Sequence, residues 1–229
     1  MADFHFVDDY ERLVDELIKR HPIDEAMSIA VGGSYDKIGT IEADVLRYAG
    51  LSRGMSLLDM GCGSGRLAHI LAKADLNLDY TGVDIIQSLL DYAATVCPQD
   101  YKFILNRQLS WPVADASLDV ACGFSLFTHL LQHETFIYLR DLRRALRPNG
   151  RVVFSFLEFA SPAHWDTFVH TVDSSLAGVP SHLNMFTERS VIEVFCEKLG
   201  FKVVEYLNPE QSVSTQGHLG QSVAILRCA

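Results

Sequence analysis

The sequence predicts a doubly wound α/β fold: a seven-stranded sheet, mostly parallel, with an antiparallel C-terminal strand and helices on both faces. Three observations carry this. Short apolar runs alternate with segments of helical period through the centre of the chain. The run Arg151–Leu157 is apolar almost without interruption, as in a parallel sheet covered on both sides. Two strand-like segments, Phe201–Leu207 and Ser222–Arg227, are joined by a polar loop with no helix between them, which makes them an antiparallel hairpin.

The elements follow in order. From Asp8 to Lys19 the apolar residues Tyr10, Leu13, Val14, Leu17 and Ile18 recur at helical spacing, and His21-Pro22 ends that helix. A second helix spans Thr40 to Ala49 and is closed by Gly50. Ser56–Met60 is a short buried strand that runs into glycines. Beyond them Leu67, Ile70, Leu71 and Ala74 give a helix face. Leu78–Asp84 is the next strand, Ile86–Val96 the next helix, and Tyr101–Asn106 and Leu118–Phe124 the third and fourth strands. Thr135–Arg147 is a helix stopped by Pro148-Asn149-Gly150, and Glu188–Leu199 is the helix before the hairpin. The expected organisation is one domain over 1–229. Residues 1–50 form a helical cap, 51–158 the core, 159–186 a lid, and 187–229 the last helix and hairpin.

Composition narrows the function. The formal net charge is −10 over 229 residues, and no cluster of basic residues stands out, which argues against a nucleic-acid or anionic-lipid partner. Arg140, Arg143, Arg144 and Arg147 fall at helical spacing and read as a solvated face. The five cysteines form no C-x-x-C pair and are expected as reduced thiols of a cytoplasmic protein. No signal peptide and no apolar run long enough for a membrane span is expected.

The most informative segment is Leu57-Leu58-Asp59-Met60-Gly61-Cys62-Gly63-Ser64-Gly65-Arg66-Leu67. A buried strand that enters a helix through closely spaced glycines lets a ligand approach backbone that Cβ atoms would otherwise shield. Asp84 lies 19 residues beyond Gly65, at the end of the second strand. A carboxylate there is placed to accept from both ribose hydroxyls of an adenosine. A dinucleotide-dependent oxidoreductase uses G-x-G-x-x-G, but here Arg66 holds the place of the third glycine.

With the helical segment before the glycines and the terminal hairpin, this pattern resembles the class I S-adenosylmethionine-dependent methyltransferases. Val31–Gly39, Leu126–Leu130 and Leu146–Arg151 are similar to segments of a bacterial subgroup of that superfamily. The resemblance implies S-adenosylmethionine as cofactor and S-adenosylhomocysteine as product. It implies that Asp59, Gly61, Cys62, Gly63 and Gly65 shape the loop around the methionine part, that Asp84 holds the ribose, and that Ile85 packs on the adenine. Many relatives carry an Asp after the third strand to accept from the adenine amino group. This chain has Asn106-Arg107-Gln108 there, and Asn106 offers an amide oxygen instead. The resemblance also implies that Phe124 and Ser125, at the end of the fourth strand, face the methyl group.

Methyl transfer from a sulfonium needs alignment and a dry pocket, and a general base only for a hydroxyl or protonated amine acceptor. His129 is the candidate base, followed by His133; packing at a helix start is the alternative role for His129. Residues 159–186 contain Trp165, Phe168, His170, His182, Met185 and Phe186. They are read either as an aromatic cover for an organic acceptor or as one amphipathic helix face. The spacings of His164, His170 and His182 do not match helical ligand pairs, and no metal is expected. Gly123-Phe124-Ser125-Leu126 departs from the Pro-Pro-aromatic run of base-modifying amino methyltransferases, and no Pro-Cys nucleophile is present. The acceptor is therefore expected to be a small molecule, lipid or glycan, not DNA. A catalytically silent cofactor-binding regulator and, further off, an NAD-dependent oxidoreductase are the alternatives.

Overall fold

The computed structural model describes residues 7–179 and 183–229. Three helices open it: α1 (Val7–Arg20), α2 (Ile23–Ala30) and α3 (Tyr35–Tyr48). The core alternates β1 (Ser56–Met60), α4 (Arg66–Lys73), β2 (Asp79–Asp84), α5 (Gln87–Val96), β3 (Lys102–Leu105) and β4 (Leu118–Gly123). A 3-10 turn (Phe127–His129), α6 (Gln132–Ala145) and β5 (Leu146–Phe156) follow. Then come α7 (Pro162–Leu176), α8 (Arg189–Leu199), β6 (Phe201–Leu207) and β7 (Ser222–Cys228).

The strands form one seven-stranded sheet in the order β3-β2-β1-β4-β5-β7-β6. β1 to β5 run parallel, and β7 is antiparallel to both β5 and β6. Strand order reverses between β1 and β4, so the crevice at the carboxyl ends of those strands is where such a sheet binds ligands.

Alternate residues of each strand feed two cores. Leu58, Met60, Ala121, Val152 and Phe154 face one layer, with Leu139 and Leu142 of α6 and Ile192 of α8. Leu57, Tyr80, Val120, Cys122 and Val153 face the other, with Leu46 of α3 and Leu71 of α4. A third cluster joins Val14 of α1, Met27 and Ala30 of α2, and Ile86 and Leu89 next to or within α5. That cluster fixes the N-terminal helices over the carboxyl edge of the sheet.

Several elements differ from expectation. α2 is an additional helix, and α3 begins at Tyr35, not Thr40. α6 begins at Gln132, and β5 takes over at Leu146, with a register shift against β4 that absorbs Arg147 to Gly150. The expected solvated arginine face is partly engaged. Arg144 binds Asp141, Asp115 and the carbonyls of Trp111 and Val113, and Arg147 binds Asp119. All five cysteines are free thiols, and four of them are buried. Among the described residues no helix is long and apolar enough to cross a membrane.

Candidate active site

The loop after β1 turns through Gly61, Gly63 and Gly65, all at positive φ, where a side chain would be strained. Space is as tight as conformation. A Cβ on Gly63 would lie 2.6 Å from Val31 Cγ1, and one on Gly65 2.9 Å from Ala93 Cβ. The N–H groups of Gly61 and Cys62 both donate to the Val83 carbonyl, which ties the loop to the end of β2. Cys62 is buried and turns its thiol inward against Gly82.

Asp84 ends β2 and is nearly buried. Its Oδ2 accepts from the Gly63 N–H at 2.8 Å, and its Oδ1 accepts from Ile85 and Ile86 at 2.7 and 3.0 Å. One carboxylate thus pins the glycine loop and holds the turn that leads from β2 into α5. Burial pushes its pKa up, against the three N–H donors that pull it down. Two oxygens with about four lone-pair positions still leave acceptor capacity. The turn-holding and ligand-holding roles are therefore compatible.

Asp59 lies deeper. Its carboxylate accepts from Tyr80 Oη at 2.6 Å and lies 3.6 Å from the Cys122 thiol. Burial pushes it up to about 7, offset by the Tyr80 hydroxyl. It braces the loop from beneath, gripping side chains of the two neighbouring strands. Asn106 follows β3 in an exposed Asx turn: its Oδ1 accepts from the Gln108 N–H at 3.1 Å, and its Nδ2 donates to Ser110 O. The amide oxygen retains one lone pair. Ile85, partly buried, packs against the apolar layer shared by β2 and α6.

Phe124 is buried at the end of β4, and Ser125 follows at φ 56°, a left-handed conformation uncommon for a serine. Hydrogen bonds hold it there. Its N–H donates to Ser155 Oγ at 2.7 Å, and its hydroxyl accepts from Gln221 Nε2 at 3.1 Å. His129 ends the 3-10 turn, half-buried, with Nδ1 2.6 Å from the Leu183 carbonyl. Nδ1 must donate there, so the neutral ring carries its basic lone pair on Nε2. His133 lies in the first turn of α6.

Sequence reasoning missed the fastening of the N-terminal helices. Arg66, which in the sequence only breaks the dehydrogenase pattern, forms a largely buried ion pair with Glu42 of α3 and donates to Val31 O. Tyr35 Oη donates to Ser64 O at 2.6 Å, and Ser64 Oγ donates to Met27 O at 3.0 Å. Arg107 donates to Ile85 O and pairs with Glu11 of α1. Tyr10 donates to Ala30 O, and burial, with Asp84 nearby, raises its pKa. A charged or aromatic residue near the glycine turn, with a partner far off in sequence, leaves no periodic signal. His182 lies outside the described residues. Among those described, no cluster of three metal-ligating side chains occurs.

A glycine loop at the strand-order reversal, closed by an acid at the end of β2, in a sheet whose seventh strand is antiparallel, defines the class I methyltransferase architecture. Residues 35–206 match the methyltransferase domain family, and the chain belongs to it. The chain is 24% identical over 115 residues to a tRNA N(3)-cytidine methyltransferase of Gallus gallus, covering 46% of this chain and 31% of that protein. It is 30% identical over 105 residues to 2-methyl-6-phytyl-1,4-hydroquinone methyltransferase of Synechocystis, covering 45% and 32%. The chain thus spans about a third of the length of these curated relatives. Its fold is similar to the magnesium protoporphyrin IX methyltransferase of Synechocystis solved with S-adenosylhomocysteine. The TM-score is 0.67 at 16% identity, with 97% of each chain covered.

Proposed function

We propose that the chain is an S-adenosylmethionine-dependent methyltransferase whose acceptor is a small molecule, lipid or glycan. The observation that carries this reading is Asp84, whose one carboxylate joins the glycine loop to α5 and keeps acceptor capacity at the crevice. The residues present fit the cofactor. Glycine backbone without Cβ atoms suits a methionine chain lying close against it, and Asp84 suits a pair of ribose hydroxyls. Ile85 would cover one adenine face and Asn106 would accept from its amino group. S-adenosylmethionine supplies an electrophilic methyl group on a good leaving group. The chain's own residues bind and orient it, while buried Phe124 keeps water from the reaction line. Ser125, held rigid by Ser155 and Gln221, fixes the floor at the methyl-facing end. For a hydroxyl acceptor, His129 takes the proton on Nε2, its ring oriented through Nδ1–H and Leu183 O.

Thermal shift tests the cofactor reading. S-adenosylmethionine and S-adenosylhomocysteine raise the melting temperature, and NAD does not. A rise with NAD alone would reassign the fold to oxidoreductase chemistry. A labelled-methyl screen against metabolite pools then tests catalysis; binding without transfer to any pool would leave a regulatory role.

A further inference from the structure

α7 carries an apolar face that the described chain leaves uncovered. Trp165, Val169, Val172 and Leu176 recur at helical spacing and fall within a sector of about 60°. All four are exposed, Trp165 by 50% and Leu176 by 83%, and among the described residues of this helix only His164 is buried. Asp166, His170 and Asp173 occupy another flank, and the helix contains no Lys or Arg. Contiguous exposed apolar surface of this kind marks an interaction site.

Aromatic rings give the face a direction. Trp165 and Phe168 have centroids 5.1 Å apart, Phe168 and Phe159 5.1 Å, and Phe159 stacks on Phe186 at 4.5 Å. Phe186 is buried and bridged to Leu157 just beyond β5. The same segment donates from Met185 N–H to Thr128 O at 2.7 Å, and its Leu183 carbonyl holds His129. A track of aromatic rings therefore runs from the open flank of α7 to Phe186, whose own segment is hydrogen-bonded to Thr128 and His129.

Resting on the methyltransferase reading above, we infer that this track and flank hold a neutral, lipid-like chain of the methyl acceptor, with the reactive head at the His129 end. Charge favours this occupant over a bilayer surface. Docking on anionic lipid needs Lys or Arg beside the apolar stripe, and α7 offers only acidic residues and His. From Trp165 to Leu176 the helix covers about 16 Å, the reach of an extended chain and more than a single ring needs.

The test uses the full chain and its own fluorescence. Trp165 is one of two tryptophans, and the other, Trp111, is 5% exposed, so a change in emission on binding reports α7. Linear 1-alkanols from butanol to dodecanol are titrated in, and S-adenosylhomocysteine binding is measured by calorimetry on the same samples. A saturable blue shift is expected, with affinity rising about three- to fourfold per methylene. Val172→Asp weakens dodecanol binding at least tenfold, and Val172→Ser, which is gentler on the helix, weakens it severalfold. Both leave S-adenosylhomocysteine affinity unchanged. A response that fails to saturate or ignores chain length overturns the inference. So does binding to phosphatidylglycerol vesicles without any response to alkanols, which gives the face to a membrane. A dimer in sedimentation that Val172→Asp dissociates gives it to a second copy and overturns the inference equally. Failure to bind S-adenosylhomocysteine removes the methyltransferase reading itself, whereas binding it without alkanols removes only the lipid-like chain.

Discussion

Replacing Asp84 by Asn separates the two roles of one carboxylate. The Asn carbonyl oxygen can keep the N–H groups of Ile85 and Ile86, but its amino group then faces the Gly63 N–H, donor against donor. One hydrogen bond to a charged acceptor is lost, which costs about 1.5–3 kcal/mol. Burial already disfavours the ionised Asp84, so removing the charge recovers part of that cost. The net expectation is a loss of about 1–2 kcal/mol, or a Tm lower by roughly 2–8 °C for a chain of this size. Cofactor binding responds separately. With an amide in place of the carboxylate at the ribose hydroxyls, S-adenosylhomocysteine affinity falls about 10- to 100-fold. Urea unfolding without ligand measures the first effect. Calorimetry well below the variant's Tm measures the second, so that unfolding does not imitate weak binding. A variant that loses the stability but binds S-adenosylhomocysteine within twofold of wild type would show the carboxylate to be a brace alone, and the ribose assignment would fall.

Three further outcomes follow from the same geometry. Asp59 titrates near 7 when folded and near 3.8 when unfolded, so between those values only the folded state keeps the proton, and stability falls as pH rises from about 4 to 7. The full shift corresponds to at most about 4 kcal/mol; Asp59→Asn should flatten urea-derived stability across that window, and an unchanged slope would remove Asp59 as its source. Gly63→Ala places a methyl 2.6 Å from Val31 Cγ1 at φ +54°, for a loss of about 1–3 kcal/mol. Adding Val31→Ala should restore part of it in a double-mutant cycle, and strict additivity would show that the two do not meet. His129→Asn keeps a donor for Leu183 O but has no base. Cofactor affinity should stay within about twofold while turnover of a hydroxyl acceptor falls about 10²–10⁴-fold, and a threefold fall or less would exclude proton transfer through this ring.

The sheet was legible because its strands are short, apolar and bounded by Gly, Pro or polar turns; the parallel direction of β1 to β5 and the terminal hairpin follow from that pattern. α2 was not legible. It is only eight residues long, wedged between Pro22 and Gly32-Gly33, too short for a clear period. The start of α3 was masked by Gly39, which reads as a breaker yet lies where a Cβ would come within 2.7 Å of Arg66 O. Gly61, Gly63, Gly65 and Asp84 stand out because backbone geometry demands those residue types. The contacts Arg66–Glu42, Tyr35–Ser64 and Arg107–Glu11 did not, since only the fold brings the partners together. For α7 the sequence offered two readings, an aromatic cover and an amphipathic helix. The segment does form a helix, but its apolar flank faces outward.

The position of β7 between β5 and β6 has a consequence for biosynthesis. β6 leaves the ribosome first, yet every backbone partner it has in the sheet belongs to a strand translated after it. Until β7 arrives, β6 waits as a lone ribbon beside α8, its polar backbone open to neighbouring nascent chains. Completion of the sheet is therefore a late event. Loss of the seven residues of β7 would cast off two strands, not one.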